Sequence, residues 1–189
     1  MEEPMQDPIA GTIFEAYDTL IFDLDGTLWI ATNAAGQGIG AFQTTPPYQI
    51  EYPGVAVDIN GNIITLADGI DALLKILNGA DKNLGIMSSG ELEDRPFEAQ
   101  PSVLLLKLFN IYKYFTYDVV IHATHEKKLY VRPCGKTLFI DDVQENVVKV
   151  NEQQQVDVLW RGAFGPWDTL LVPQQAQLQM GLHSPEQVS

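Results

Sequence analysis

Short apolar stretches alternate with stretches of helical period along most of the chain. Strands are predicted where a few consecutive apolar residues end in polar or small residues, in TLIFDLD, NLGIMSSG, YDVVIHA, KTLFIDD and VDVLWRG. Between them, apolar residues recur at helical spacing in DGIDALLKILNGAD, PSVLLLKLFNIYKYF and DVQENVVKVNEQQ. This alternation predicts an α/β fold, a Rossmann-like parallel sheet with right-handed crossovers and helices on both faces.

The ends of the helices are also indicated by the sequence. The first helix is expected to have Asp68 as its N-cap and Gly79 at its C-cap. The second is predicted to continue at least through Phe109. The face of the third helix that we expect to pack on the sheet carries Val143, Val147 and Val150.

The stretch between Leu28 and Ala67 has no helical period. It holds the small-residue run NAAGQGIG and then VAVDI and NIITL, which are separated by Asn60-Gly61. An Asn-Gly pair between two such runs is typical of a hairpin with a type I′ turn, in which both central residues have positive φ. We therefore predict a β-hairpin flap after the first strand. About 40 residues are too few for an independently folded domain, so no large cap is expected.

Length and composition favour one globular domain. The chain has 189 residues, of which 46% are hydrophobic. The predicted domain spans residues 1–172, with residues 28–67 as an insert that includes the flap, and residues 173–189 form a Gln-rich C-terminal tail. Neither a signal peptide nor an apolar run long enough to span a bilayer is recognised, and the lone Cys134 favours a reducing compartment. The expected location is therefore the cytoplasm.

The charge narrows the choice of partners. With 25 acidic and 11 basic residues the formal net charge is −14. Such a surface repels polyanions, so binding to nucleic acid or to an anionic membrane is not expected. A small phosphorylated substrate is still compatible with this charge, because a metal ion and a few local donors can bind it. The oligomeric state is left open by the sequence.

Polar residues follow several of the predicted strands. Asp23, Ser88 and Asp141 all lie at carboxyl ends, where ligands bind in parallel α/β sheets. Asp25 follows Asp23 at a spacing that lets both side chains face the same crevice, and Asp142 adds a further charge. Carboxylates so close together need a divalent cation or a shared proton. Oxygen ligands suit Mg²⁺, and the absence of thiolates and imidazoles makes zinc a poorer match.

Three of these segments also resemble known motifs. DLDGTLW, LGIMSSG and TLFIDDVQEN are similar to the first, second and fourth motifs of the haloacid dehalogenase (HAD) superfamily of phosphatases and phosphotransferases. Their order and spacing fit over roughly Thr19 to Gly162. The Trp after DGTL, together with FIDD, most resembles the subgroup of small magnesium-dependent phosphatases. The resemblance implies a HAD-like fold and a Mg²⁺ cofactor.

The resemblance also implies roles for the acidic residues. Asp23 would be the nucleophile that becomes an aspartyl-phosphate, and Asp25 would protonate the leaving oxygen and then deprotonate the attacking water. Asp23 and the backbone carbonyl of Asp25 would be metal ligands. Asp141 would complete the Mg²⁺ site, and Asp142 would help directly or through water.

The same resemblance implies a set of substrate-binding residues. Ser88 would donate a hydrogen bond to the phosphoryl oxygens, with Ser89 beside it, and Thr27 would orient the loop around Asp25. The third motif of the superfamily is a lysine, for which Lys127 and Lys128 are the candidates.

Lys128 is preferred as the catalytic lysine, and Lys127 is placed with the substrate-binding residues. Lys136 enters its strand from the amino end, which argues against it, and Arg132 is a possible substitute for the lysine.

Several of these residues have structural alternatives. Ser88 with Glu91 fits a helix capping box, and Asp142 fits the N-cap of the third helix. Asn146 either ties down the metal loop or faces solvent. Trp29 either forms a wall of the crevice or packs under the flap.

Taken together, the residues and the resemblance predict a Mg²⁺-dependent phosphomonoester hydrolase that acts through an aspartyl-phosphate on Asp23. Its substrate would be a phosphorylated small molecule or a phosphoprotein. Two other functions fit the same sequence. One is a non-catalytic binding or scaffold protein on this fold, and the other is a phosphotransferase or carrier-loading enzyme that transfers the phosphoryl group to an acceptor other than water.

Overall fold

The architecture is known from a computed structural model, which describes residues 8–122, 131–154, 156–161 and 166–173. Ten strands and three α-helices are found in these ranges, and short 3₁₀ helices connect some of them. In chain order they are β1 (Thr19–Phe22), β2 (Trp29–Thr32), β3 (Gly38–Ile39), β4 (Gln49–Tyr52), β5 (Val55–Val57), β6 (Ile63–Leu66), α1 (Ile70–Gly79), β7 (Asn83–Ser89), α2 (Pro101–Leu108), β8 (Val119–His122), β9 (Thr137–Asp141), α3 (Gln144–Gln154) and β10 (Asp157–Trp160).

The predicted parallel sheet is confirmed. Its strand order is β10-β9-β1-β7-β8, and every neighbouring pair is parallel. The fully buried β1 lies at the centre, where Phe22 is in register with Ile86 of β7 and with Ile140 of β9. The carboxyl ends of these three strands therefore meet at one edge of the sheet.

Helices cover both faces of this sheet, as predicted. Leu20 and Phe22 of β1 belong to the larger hydrophobic core, which also contains the buried residues of α1 and α2. Ile21 points the other way and joins a smaller core with Val147 and Val150 of α3. This division follows from the alternation of side chains along a strand.

The insert after β1 is more extensive than the predicted hairpin and loop. The hairpin is present as the antiparallel pair of β5 and β6, but it lies within a five-stranded antiparallel sheet of order β3-β2-β6-β5-β4. β2 pairs with β6 through Trp29 and Leu66, so the two ends of the insert lie side by side. Over the described residues the insert is thus one sheet, which agrees with the absence of a large cap.

The type I′ turn predicted at Asn60-Gly61 is wrong. Gly61 has a positive φ of 80°, whereas Asn60 is not among the positive-φ residues. The amide of Asp58 instead donates to the carbonyl of Asn62 at 3.0 Å, which closes a three-residue loop with one left-handed residue. The Asp58 carboxylate accepts the amides of Asn60 and Asn62, both at 2.8 Å, and so fixes the loop without a second positive φ.

The caps predicted for α1 are also wrong. Gly69, with a φ of 76°, is the N-cap, and the carbonyl of Asp68 accepts the amide of Trp167 at 2.9 Å. Gly79 is the last helical residue, and the left-handed position falls at Asp81 with a φ of 55°.

The other two helices differ less from prediction. α2 ends at Leu108 with Phe109 as its C-cap, so the predicted end is confirmed to within one residue. On α3, Val147 and Val150 are buried as predicted, but Val143 precedes the helix and is 44% exposed. The buried face of α3 therefore starts one turn later than the valine pattern suggests.

The domain boundaries proposed from the sequence stay predictions. Residues 174–189 of the predicted tail lie outside the described residues. Within the ranges that the structure describes, none of the helices combines the length and the apolar character needed to cross a bilayer.

Candidate active site

Three carboxylates converge at the carboxyl edge of the parallel sheet. Asp23 follows β1 and its amide donates to the carbonyl of Ile140 at 2.9 Å, which brings it beside the end of β9. There Asp141 is the last strand residue and Asp142 follows it. One oxygen from each of the three carboxylates lies within 4.8 Å of the other two. The predicted meeting of acids is confirmed for Asp23, Asp141 and Asp142, but this group does not include the Asp25 carboxylate, which the sequence placed beside Asp23.

The electrostatics of this cluster call for positive charge. Asp23 is 3% exposed and Asp141 is fully buried, so water screens them poorly. At such separations two unit charges repel by about 3 kcal/mol if the effective dielectric constant is about 20. Three such pairs together are comparable to the whole free energy of unfolding of a typical domain, which is about 5–15 kcal/mol. A bound dication, a cationic side chain or protonation must therefore offset the repulsion.

Asp141 is also held by the start of α3. Its Oδ1 accepts the amide of Val143 at 2.8 Å, and the Nδ2 of Asn146 donates to Oδ2 at 3.1 Å and to Oδ1 at 3.3 Å. Of the two alternatives for Asn146, the contact with the acidic loop is the one observed. Asp142 is not the N-cap, because Val143 is the residue that precedes α3.

The loop after β1 touches the loop after β9. Gly26 has a φ of 79°, and a Cβ at this position would lie 2.2 Å from Oδ2 of Asp142. Only glycine combines this backbone conformation with so close an approach of the carboxylate. Asp142 is therefore packed against the turn that separates Asp25 from Thr27.

The carboxylate of Asp25 has different hydrogen-bond partners from those of Asp141. The Asp25 carboxylate lies outside the group formed by the other three acids. Oδ1 accepts the indole N–H of Trp29 at 2.8 Å, and the amide of Ala41 lies 3.0 Å from Oδ1 and 3.1 Å from Oδ2. These bonds fix the partly buried side chain in one orientation, on the side of the antiparallel sheet. Metal ligation by the Asp25 carbonyl stays a prediction.

The two hydrogen-bond donors to the Asp25 carboxylate, Trp29 and Ala41, were not predicted from the sequence. Trp29 is fully buried, and it serves neither as a plain wall nor only as packing, because it donates to Asp25. The Ala41 amide comes from the 3₁₀ helix Ala41–Gln43 of the insert. A backbone donor brought in from another element leaves no residue-type signal in a sequence.

Thr27 lies in the same loop as Asp25. Its side chain is fully buried, and Oγ1 has no hydrogen-bond partner in the part of the chain that the structure describes. Its carbonyl accepts the indole N–H of Trp167 at 3.2 Å. The role predicted for Thr27 in orienting the loop is untested.

The two serines end β7, next to β1. Ser88 is 2% exposed and is paired in register with Ile121 of β8, and Ser89 is the last strand residue. The alternative capping box with Glu91 is wrong, because no α-helix starts between Ser88 and α2, and the amide of Glu91 donates to the carbonyl of His122. The serines therefore lie at the carboxyl edge, and phosphate binding by them stays a prediction.

Of the basic residues considered for the third motif, only Arg132 and Lys136 lie among the described residues. Lys127 and Lys128 lie outside the described residues. The argument against Lys136 is confirmed, because its ammonium lies 4.9 Å from the centre of the Tyr17 ring, ahead of β1 at the opposite edge of the sheet. The carbonyl of Arg132 accepts the hydroxyl of Tyr117, whose amide donates to Leu84 near the start of β7. Arg132 is thus also anchored towards the amino edge.

A cation that was not assigned to the site follows β10 at the carboxyl edge. The guanidinium of Arg161 lies 4.5 Å from the centre of the Trp167 ring. Partial burial lowers the pKa of Arg161 from its usual high value, although an arginine remains charged at neutral pH. No role in the site was predicted for Arg161 from the sequence.

Comparisons with known proteins assign no family to this chain. No protein-family model matches this sequence, and no curated protein matches it. A crystal structure of a candidate phosphatase from Clostridium difficile is similar over 89% of this chain and 100% of that chain, at 14% identity and a TM-score of 0.48. The N-terminal part of a Bacteroides fragilis protein, which contains a phosphatase domain complexed with Mg, is similar over 94% of this chain and 44% of that chain, at 18% identity and a TM-score of 0.40.

Proposed function

We propose that this chain is a Mg²⁺-dependent phosphomonoester hydrolase of the HAD type, with Asp23 as its nucleophile. One observation carries the proposal, namely the meeting of Asp23, Asp141 and Asp142 at the carboxyl edge of a parallel sheet. The remaining described residues that the sequence motifs assign to the reaction lie in the loop after β1 or at the end of β7, and they are Asp25, Thr27, Ser88 and Ser89.

The acid cluster fits a magnesium ion by its donor chemistry. All three side chains offer carboxylate oxygens, which Mg²⁺ prefers, and two of them are buried where their charge is poorly screened. Asp23, Asp141 and Asp142 would hold the ion. When bound, it would neutralise charge on the phosphoryl oxygens and on the surrounding carboxylates.

Asp23 would attack the phosphorus with a carboxylate oxygen. As the O–P bond to Asp23 forms, the bond from phosphorus to the leaving alcohol breaks, and Asp25 gives its proton to the leaving oxygen. Water then attacks the phosphorus of the aspartyl-phosphate, Asp25 takes a proton from that water, and the bond to Asp23 breaks. The bonds from Trp29 and Ala41 would keep Asp25 aimed at the leaving oxygen throughout.

Access to the site bears on the substrate. The described part of the insert is a single antiparallel sheet, so it supplies a flap without a separate cap. A site without a cap would admit bulky phosphomonoesters, such as a phosphorylated sugar or a phosphorylated protein side chain. The net charge of −14 disfavours substrates with many further negative charges.

The test is hydrolysis of p-nitrophenyl phosphate by the full chain. We expect phosphate release with Mg²⁺, loss of release with excess EDTA, and recovery when Mg²⁺ is restored. Release that is insensitive to EDTA would exclude the metal-dependent reaction. No turnover with this or with a panel of phosphorylated metabolites and phosphopeptides would favour the non-catalytic alternative, and transfer to an added alcohol in preference to water would favour the phosphotransferase.

A further inference from the structure

All three tryptophans of the chain donate their indole N–H groups to the two loops that carry the acids. Trp29 donates to the Asp25 carboxylate at 2.8 Å, within its own loop. Trp160 donates to the carbonyl of Asp142 at 2.9 Å, and Trp167 to the carbonyl of Thr27 at 3.2 Å. The last two donors come from outside the loops, from β10 and from the 3₁₀ helix Trp167–Leu171.

These two donors are themselves fixed. Trp160 is the last residue of β10 and is in register with Asp141 of β9. Trp167 is fully buried, and the centre of its ring lies 5.9 Å from the centre of the Phe22 ring. The same ring also contacts the Arg161 guanidinium. An indole is a rigid ring with one donor and no acceptor, so its N–H direction is set once the ring is packed.

The carbonyls that accept these bonds adjoin the acid cluster. Asp142 supplies one carboxylate of the cluster, and Thr27 follows Gly26, against which that carboxylate packs. The three carboxylates repel one another when no cation is bound, which would push the two loops apart. The bond from β10 to the loop after β9 and the bond from the 3₁₀ helix Trp167–Leu171 to the loop after β1 oppose that separation.

We propose that Trp160 and Trp167 are positioning residues, which hold the loops after β1 and β9 at the spacing that a divalent cation needs. The inference rests on the proposed function only in taking Mg²⁺ as the ion. Residues that orient metal ligands from outside typically change metal affinity 10- to 100-fold when they are replaced. Neither tryptophan needs to touch the ion or the substrate.

The test uses Trp160→Phe in the full chain, because Trp160 is only partly buried and phenylalanine keeps a ring while removing the N–H donor. The matched control is Val158→Ala, two residues earlier on β10, which removes buried packing (Val158 is 5% exposed) and leaves the bond to Asp142 intact. For each variant, the dissociation constant for Mg²⁺ alone is measured by calorimetry and the Tm is measured without Mg²⁺.

We expect the dissociation constant of Trp160→Phe to rise about tenfold. Val158→Ala is expected to lower Tm at least as much as Trp160→Phe, because it removes buried packing. It should keep the wild-type affinity for Mg²⁺ within about twofold, because the bond from Trp160 to Asp142 is kept. Trp167→Phe should weaken binding in the same direction. If the wild-type chain binds Mg²⁺ but Trp160→Phe binds it with unchanged affinity, the inference is overturned and the metal site stands. The same conclusion follows if Val158→Ala weakens binding as much as Trp160→Phe does. A wild-type chain that does not bind Mg²⁺ would overturn both.

Discussion

Asp58, in the hairpin loop of the antiparallel sheet, and Asp141, at the end of β9 in the parallel sheet, are both buried carboxylates, at 5% and 0% exposure. Asp58 accepts N–H groups from Thr45, Asn60 and Asn62, with four bonds of 2.7 to 2.8 Å. No member of that arrangement carries a second negative charge. Asp141 instead shares its surroundings with Asp23 and Asp142.

The difference separates a carboxylate whose charge the chain itself satisfies from one that lies among like charges. The charge of Asp58 is dispersed over donors that the chain itself supplies, and the result is an ordered hairpin loop. Around Asp141 the chain brings together like charges, which destabilise the fold unless positive charge joins them. Burial of an aspartate is therefore no guide to function by itself, whereas convergence of several aspartates is. Substitutions in the cluster around Asp141 should therefore change activity and Mg²⁺ binding, whereas substitution of Asp58 should change stability alone.

The largest effect is expected for Asp23→Asn, which removes the nucleophile while keeping the shape of the side chain. Phosphate release should fall by about 10³-fold or more, because a nucleophile is rarely replaced by other groups. Asp157→Asn is the control, since Asp157 is exposed and lies 4.0 Å from the equally exposed Lys136. Near-wild-type turnover in Asp23→Asn would remove Asp23 from the mechanism.

The second effect concerns metal-linked stability. At a Mg²⁺ concentration about 100 times its dissociation constant, the wild-type chain should gain about 2.7 kcal/mol in free energy of unfolding. Asp141→Asn should lose most of this gain, because one of the three carboxylates is neutralised. Thermal unfolding with Mg²⁺ and with EDTA measures the gain. An equal gain in both proteins would show that the ion acts elsewhere.

The third effect falls on Asp58 and sharpens the contrast. Asp58→Asn should reduce the free energy of unfolding by about 2 kcal/mol, because an amide turns its own donors towards buried N–H groups. The affinity for Mg²⁺ should stay at the wild-type value. Chemical denaturation and a metal titration of the same variant provide both numbers, and a weakened Mg²⁺ site would mean that the two acidic regions are not independent.

A smaller effect is expected for Asn146→Ala. Both oxygens of Asp141 lose a donor that orients them, so the dissociation constant for Mg²⁺ should rise about tenfold. Asn151→Ala, one turn and a half further along α3, is the control for the loss of a helical asparagine. Equal affinities for wild type and Asn146→Ala would reduce Asn146 to a helix residue that merely adjoins the site.

The smallest effect is a dependence of stability on pH. Burial raises the pKa of Asp58, but the N–H groups of Thr45, Asn62 and Asn60 lower it by more, so it lies below its usual value. A depressed pKa contributes stability that is present above the unfolded-state value of about 3.9 and is lost as the pH falls through the folded-state pKa. The stability difference between wild type and Asp58→Asn should therefore shrink below about pH 4. Denaturation curves at neutral and acid pH test this, and a constant difference would contradict it.

The parallel sheet and its acids were predictable because their signals are local. A short apolar run followed by DxD or DD marks a strand and its functional end within a few residues. The antiparallel sheet was only half predicted, because β3 and β4 are short or fully exposed and β2 pairs with β6 across the insert. The Asn60-Gly61 turn was misjudged for the related reason that the nearby Asp58 carboxylate replaces a backbone preference.

Contacts between distant parts of the chain support the site, and local sequence patterns did not predict them. The Ala41 amide reaches Asp25 from 16 positions away, and Trp167 reaches Thr27 from 140 positions away. Such contacts depend on how the two sheets and the 3₁₀ helix Trp167–Leu171 pack, which motif spacing does not encode. The sequence therefore predicted the converging acids and offered Asn146 as a partner of their loop, but it did not predict the contacts from Trp29, Ala41 and Trp167.

Calorimetric titration of Mg²⁺ into wild type, Asp142→Asn and Asp58→Asn tests the central claim most directly. The account predicts one ion per wild-type chain, binding weakened about tenfold or more in Asp142→Asn, and wild-type binding in Asp58→Asn. Equal binding by all three proteins, or none by the wild type, would contradict the claim that the converging carboxylates form a metal site.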